Sequence, residues 1–143
     1  MVFRGAYDNI NGVRRPYLTI LVRSRDGAWI PLPFLIDSGA DATFLDASCL
    51  QQMETDPGIV SERTVSGVGG KAAHIQCVTA LRFASEEGAK TFTGTIGVFT
   101  DPEACDTPVL GRDVLDNFRL IFDRGRNSIL LLSPPHDYEV VLC

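Results

Sequence analysis

Residues 34–46 read Phe-Leu-Ile-Asp-Ser-Gly-Ala-Asp-Ala-Thr-Phe-Leu-Asp, and residues 109–113 read Val-Leu-Gly-Arg-Asp. In the first segment an apolar run of strand character carries Asp37 into apolar surroundings, and Gly39 lets the backbone turn sharply behind it. A carboxylate held in this way is suited to acid–base work on water, in which an ionised group accepts a proton while a protonated one donates. Two carboxyls about 3 Å apart cannot both ionise, so such a pair shares one proton. The chain holds a single Asp-Ser/Thr-Gly triplet. Alone, that triplet is also what an ordinary polar turn looks like. The second segment supplies context, because Val109-Leu110-Gly111 repeats the apolar-apolar-Gly theme of Ile36 to Gly39.

The elements that must position these residues read as strands broken by turns. Tyr17–Arg23 and Ala28–Ile36 flank Arg25-Asp26-Gly27, a hairpin pattern. Pro31 and Pro33 cannot donate ladder bonds, which predicts an edge strand or one paired on one side only. Asp46 is placed to cap a short helix over 47–53, stopped by Asp56-Pro57-Gly58. Over Lys71–Phe83 the alternation sends Ala73, Ile75, Cys77, Thr79, Leu81 and Phe83 one way and His74, Gln76 and Arg82 the other, predicting a half-buried strand with a solvated His74. A turn at 85–88 leads into a strand over Lys90–Phe99, and 101–108 reads as a loop. A short helix is predicted over Arg112–Asn117, then a hairpin of Phe118–Asp123 with Ser128–Leu132. The tail from Pro134 carries Tyr138, Val140, Val141 and Leu142 and is expected to dock as a strand. Trp29 is expected in the core. The fold class is all-β, in one domain spanning 1–143.

Composition narrows the function. Apolar content of 45% with 22% charged residues describes a folded globular chain. A net charge of −5 offers no clustered basic surface for nucleic acid. No apolar run approaches the ~20 residues of a membrane helix, and the N-terminus lacks the apolar stretch of a signal peptide. Cys49, Cys77, Cys105 and Cys143 are scattered without a CxxC, beside only two histidines. Metal ligation is therefore unsupported, and reduced thiols in a cytoplasmic protein are the plainest expectation, with a disulfide left open.

Taken together, the DSGAD and VLGRD segments resemble the retropepsins, single-domain homodimeric aspartic proteases, over roughly Tyr17–Leu132. The resemblance implies an all-β, closed and orthogonally packed fold with a flap hairpin and one short helix, and an obligate homodimer in which Asp37 of each chain forms the catalytic dyad. It implies that Ser38 and Gly39 support the active-site loop, the Ser38 hydroxyl bonding across the two-fold axis where most relatives carry Thr. Ala40 and Asp41 would contact substrate, and Arg112 would be partly buried and paired with Asp41. Thr64–Ala72, with glycines at 67, 69 and 70, resembles the flap, so Val68, Gly69 and Gly70 would also touch substrate; a plain Gly-rich hairpin is the competing reading. The segments before Asp37 and after Arg112 are longer than in the compact viral enzymes, whose interleaved termini build the dimer. The interface is therefore expected to differ, with the 134–143 tail a candidate contributor.

Other chemistries fit poorly. A phosphate-binding loop would need Gly at 65 and Ser or Thr at 72, where Val65 and Ala72 stand. No GxSxG elbow exists, and His74 and His136 sit in no triad context. The expected activity is cofactor-independent peptide-bond hydrolysis on a protein or peptide substrate. The alternative is a catalytically silent peptide-binding or assembly module of the same fold.

Overall fold

The computed structural model describes residues 1–53, 63–67 and 70–135. Its first hairpin was not anticipated from the sequence. β1 (Val2–Ile10) and β2 (Val13–Arg23) are joined by Asn11-Gly12, with φ of 54° and 78°. Positive φ at both central positions is what a two-residue hairpin matching the strand twist requires, and Asn-Gly adopts it at low cost. β2 then turns through Ser24–Gly27 into β3 (Trp29–Ile36), as expected. Pro31 and Pro33 pair with β2 alone, while Leu35 and Ile36 gain a second neighbour in β8 (Val109–Leu110).

Asp46 accepts a hydrogen bond from the Ser48 backbone N–H and caps a 3₁₀ turn, Ala47–Cys49, that runs into α1 (Leu50–Met53). The predicted stop at 56–58 lies outside the described residues. β5 (Arg63–Gly67) pairs with the start of β6 (Gly70–Ser85), which pairs along its length with β7 (Gly88–Phe99). β4 (Phe44–Leu45), α2 (Arg112–Leu115), β9 (Arg119–Asp123) and β10 (Ser128–Leu132) complete the described elements. The tail beyond 135 lies outside them.

The pairings β6–β7–β4–β8–β3–β2 return to β6 through Leu21↔Arg82 and Val22↔Leu81, closing a ring. Closure removes free edges from these strands. β5 flanks one side of the ring, and β1, β10 and β9 extend it on the other in the order β2–β1–β10–β9. Ile20, Val22, Phe34, Leu45, Val98 and Leu110 fill the interior, none above 0% exposed. A second, aromatic part of the core joins Phe3, Phe83, Phe92 and Phe118 by edge-on and tilted contacts at 5.3–5.8 Å between centroids. Burying one such ring contributes roughly 1.5–3 kcal/mol. Phe118, immediately before β9, thereby fixes where that strand begins.

Two placements differ from expectation. His74 is buried, not solvated: Phe44 of β4 and Phe99 of β7 cover that end of β6, their centroids 5.2 and 6.5 Å from the imidazole. Gly97 makes this possible, since a Cβ there would collide with the Phe44 ring and press on the imidazole. Trp29 is half-buried rather than in the core, with the Arg82 guanidinium 5.9 Å above its ring.

Candidate active site

Asp37 stands at the C-terminal end of β3, just past the buried Ile36. Parallel pairing with β8 sets its height. Leu35 N–H donates to Pro108 O at 2.8 Å and Asp37 N–H to Leu110 O at 3.1 Å. The loop then turns tightly: Ala40 N–H donates to Asp37 O at 3.2 Å, and Gly39 N–H donates to the Asp37 carboxylate Oδ1 at 2.9 Å. A hypothetical Cβ on Gly39 would sit 3.2 Å from that oxygen, so this turn has little room for a side chain. Asp37 is half-buried, while Ser38 and Gly39 form an exposed crest.

The far side of the loop is tied to the start of α2. Arg112 N–H donates to Ala40 O at 2.8 Å and Asp113 N–H to Asp41 O at 3.2 Å. Beneath these bonds Thr43 and Asp113 interlock. Thr43 donates its hydroxyl to Asp113 Oδ1 at 2.6 Å and its backbone N–H to Asp113 Oδ2 at 3.0 Å, and its hydroxyl oxygen accepts from Gly111 N–H at 3.0 Å. Gly111 is packed against the Ala42 backbone so closely that any Cβ would collide with it. Glycine here is a steric requirement.

The Arg112 guanidinium bonds Asp41, and that contact holds its pKa above the ordinary arginine value. The pair lies at the surface, with side-chain exposures of 52% for Arg112 and 84% for Asp41. Arg112 is thus more open in the single chain than expected. Solvent screens such a pair strongly, so its contribution is to orientation more than to stability.

Residues 37–41 are thereby brought together with 111–113. Of the residues expected in a flap, Gly70 opens β6 opposite Gly67, whereas Val68 and Gly69 lie outside the described residues. The hairpin base reaches the site region through Phe44, three residues beyond Asp41, whose ring contacts His74 on β6. Thr43 and Asp113 were missed in the sequence. Their signal was a threonine two residues past Asp41 and a carboxylate at the first turn of a short helix, neither distinctive without the contact. Among the described residues no group of three or more His, Cys, Asp or Glu could hold a metal ion. No helix among them is long and apolar enough to cross a membrane.

Comparison with known proteins gives the family and the fold. The model of the retroviral aspartyl protease family matches residues 13–122, and the chain belongs to that family. A retropepsin-like aspartic protease from Rickettsia conorii superposes with a TM-score of 0.61 at 18% identity, over 92% of this chain and 91% of that one. EIAV protease, in a complex with the inhibitor HBY-793, gives 0.51 at 22% identity, over 76% of this chain and 92% of its own. The fold is therefore retropepsin-like. No curated protein matches the chain. Membership in an aspartic protease family supports hydrolase chemistry.

Proposed function

We propose that this protein is an aspartic endopeptidase whose active site is completed by a second copy of the chain, with Asp37 of each subunit forming the dyad. The observation that carries this reading is the seating of Asp37: a carboxylate at the end of a buried strand, on a loop held from behind by backbone bonds to Leu110, Arg112 and Asp113. A site held to that degree is preorganised for catalysis rather than adjusted on binding.

In the proposed mechanism the dyad carries one proton. The ionised Asp37 carboxylate takes a proton from a water molecule held between the two groups as its oxygen bonds to the scissile carbonyl carbon. The protonated Asp37 of the other subunit gives its proton to the carbonyl oxygen, which yields a neutral gem-diol. Collapse of the gem-diol returns a hydroxyl proton to a carboxylate and breaks the C–N bond as the amine nitrogen is protonated. The products are a carboxylic acid and an amine, and no covalent enzyme intermediate forms. Gly39 N–H, bonded to Asp37 Oδ1, keeps the carboxylate oriented on its loop.

An extended peptide would lie between the dyad and the hairpin of β5 and β6, touching Ala40, Asp41, Val68, Gly69 and Gly70. The exposed Asp41 carboxylate is available to accept a backbone N–H from it, while Arg112 keeps it oriented. Ser38, on the exposed crest, would bond across the two-fold axis. Peptide cleavage by wild type against Asp37→Asn tests the reading. The amide is isosteric but cannot serve as base or share the proton, so turnover should vanish while unfolding stays close to wild type. Retained turnover in purified Asp37→Asn would refute it.

A further inference from the structure

The closed ring of strands has an inner face, to which Ile20 and Val22 contribute at 0% exposure, and an outer one, on which their neighbours Leu21 and Arg23 stand. Pairing on both sides of β2 extends that outer face across three strands. Leu21 lies between Pro31 of β3 and Arg82 of β6, and Arg23 stands opposite Trp29. Arg82 faces outward too, since Leu81 and Phe83 on either side of it are buried. A contact that spans β2 agrees with this register: the Arg82 guanidinium lies 5.9 Å from the centroid of the Trp29 ring. The only tryptophan of the chain thus has one arginine over its ring and a second directly across the ladder.

Neither arginine has a counter-charge. Among the described residues Arg15, Arg112 and Arg126 each pair with a carboxylate, and Arg23 and Arg82 do not. Asp26, the carboxylate nearest Arg23 in sequence, accepts instead from the Ser24 hydroxyl and the Ala28 N–H. The segregation extends well beyond this turn. The chain has 18 acidic residues and a net charge of −5, yet β2, β3, β6 and β7 contain no Asp or Glu. The rest of the face is apolar. Leu21 is half-buried and Pro31 is exposed. Val78, four residues before Arg82 and so on the same side of β6, is 72% exposed, the most of any large apolar side chain among the described residues. Tryptophan and arginine are the side chains in which the binding energy of protein interfaces concentrates.

We propose that this acid-free outer face is a docking surface for an acidic, extended segment of a partner protein. Its carboxylates would pair with Arg23 and Arg82, and its apolar side chains would lie on Leu21, Pro31 and Val78. A guanidinium receives a carboxylate through two parallel N–H···O bonds, which gives such a contact direction as well as charge. The phosphates of a nucleic acid would suit the same arginines. Its backbone, however, gains nothing from the three apolar side chains, and Arg82 already occupies one face of the Trp29 ring on which a base would stack. The surface is separate from the Asp37 loop and goes beyond the cleavage reading.

Trp29 fluorescence tests the proposal on the full chain without a label. The probe is a short synthetic peptide alternating glutamate with leucine, added to the Asp37→Asn protein so that it is not consumed. The expected result is a saturable change in Trp29 emission that weakens as salt rises. Arg23→Gln with Arg82→Gln should raise the dissociation constant at least about tenfold, and thermal melting verifies that this double variant is folded. Val78→Ser, which leaves both arginines in place, should weaken binding independently. A peptide that leaves the emission unchanged, or a lysine–leucine peptide that binds as well as the glutamate one, overturns the proposal. A polyuridylate RNA that changes the emission where the peptide does not assigns the face to nucleic acid and overturns it too. A wild type that docks the peptide and hydrolyses no substrate leaves this surface standing and defeats the enzymatic reading alone.

Discussion

Thr43 and Asp113, seventy residues apart in sequence, share two hydrogen bonds of 2.6 and 3.0 Å, and Thr43 at 1% exposure also accepts the Gly111 N–H. This latch joins the strand leaving the Asp37 loop to the first turn of α2. Without it the loop would be tied to residues 110–113 by main-chain bonds and the surface Arg112–Asp41 pair alone.

Thr43→Val should therefore destabilise the fold by about 1–3 kcal/mol, since it keeps the shape but removes one donor to the Asp113 carboxylate and leaves the buried Gly111 N–H without its acceptor. Thr43→Ser retains the hydroxyl and should lose much less. Denaturant unfolding of the three proteins measures both differences; equal stability for valine and wild type would show that the latch contributes nothing.

Arg15 forms a two-pronged contact with Asp106, at 2.7 and 3.4 Å. The hydrogen bond to Arg15 holds the Asp106 pKa below its ordinary value of 3.8. A depressed carboxylate stabilises the fold above its unfolded pKa and loses that contribution as pH falls through the folded value. The contribution is under about 1 kcal/mol, because half of the Asp106 side chain is exposed. Asp106→Asn should melt slightly lower than wild type at neutral pH, and the gap should close well below pH 3.8. A gap unchanged by acid would assign the effect to shape rather than charge.

Much of the scaffold was legible because local chemistry and tertiary role agreed. Arg25-Asp26-Gly27 turned where expected, Pro31 and Pro33 paired on one side, and Asp46 capped its short helix. Asn11-Gly12 was equally explicit as a turn, but Val2–Ile10 alternates poorly, with Phe3 alone of its residues fully buried, so its strand went unread. His74 followed the alternation of β6 correctly and still ended up buried. Periodicity tells which face a residue takes, not whether Phe44, thirty residues away, covers that face. The Asp37 loop could be named from Asp-Ser-Gly, but the Thr43–Asp113 latch could not, because its meaning lies in a contact between segments. The hairpin of β9 and β10 followed from two short apolar runs across a turn, and it is present.

Ser38→Ala should weaken dimerisation or turnover, and Ser38→Thr should be tolerated, because the hydroxyl is the group proposed to cross the axis. The loss is on the order of 1 kcal/mol per subunit. Sedimentation equilibrium with peptide turnover on the same samples checks this; an alanine variant unchanged in both would make Ser38 a bystander.

The rate of peptide cleavage should be bell-shaped in pH, with its optimum on the acid side of neutrality. One carboxyl must be ionised and the other protonated, so activity exists only between the two macroscopic constants of the pair. Repulsion raises the second constant and sets where activity fades as pH climbs. A rate that rises steadily into alkaline pH would exclude the dyad.

Peptide turnover in mixtures of wild type and Asp37→Asn, at constant total protein and after subunit exchange, tests the shared site most directly. If every site needs one Asp37 from each of two chains, mixed dimers are inactive and activity falls as the square of the wild-type fraction, an equal mixture retaining about a quarter. Activity that falls in simple proportion, with an equal mixture retaining half, would mean that each chain works alone.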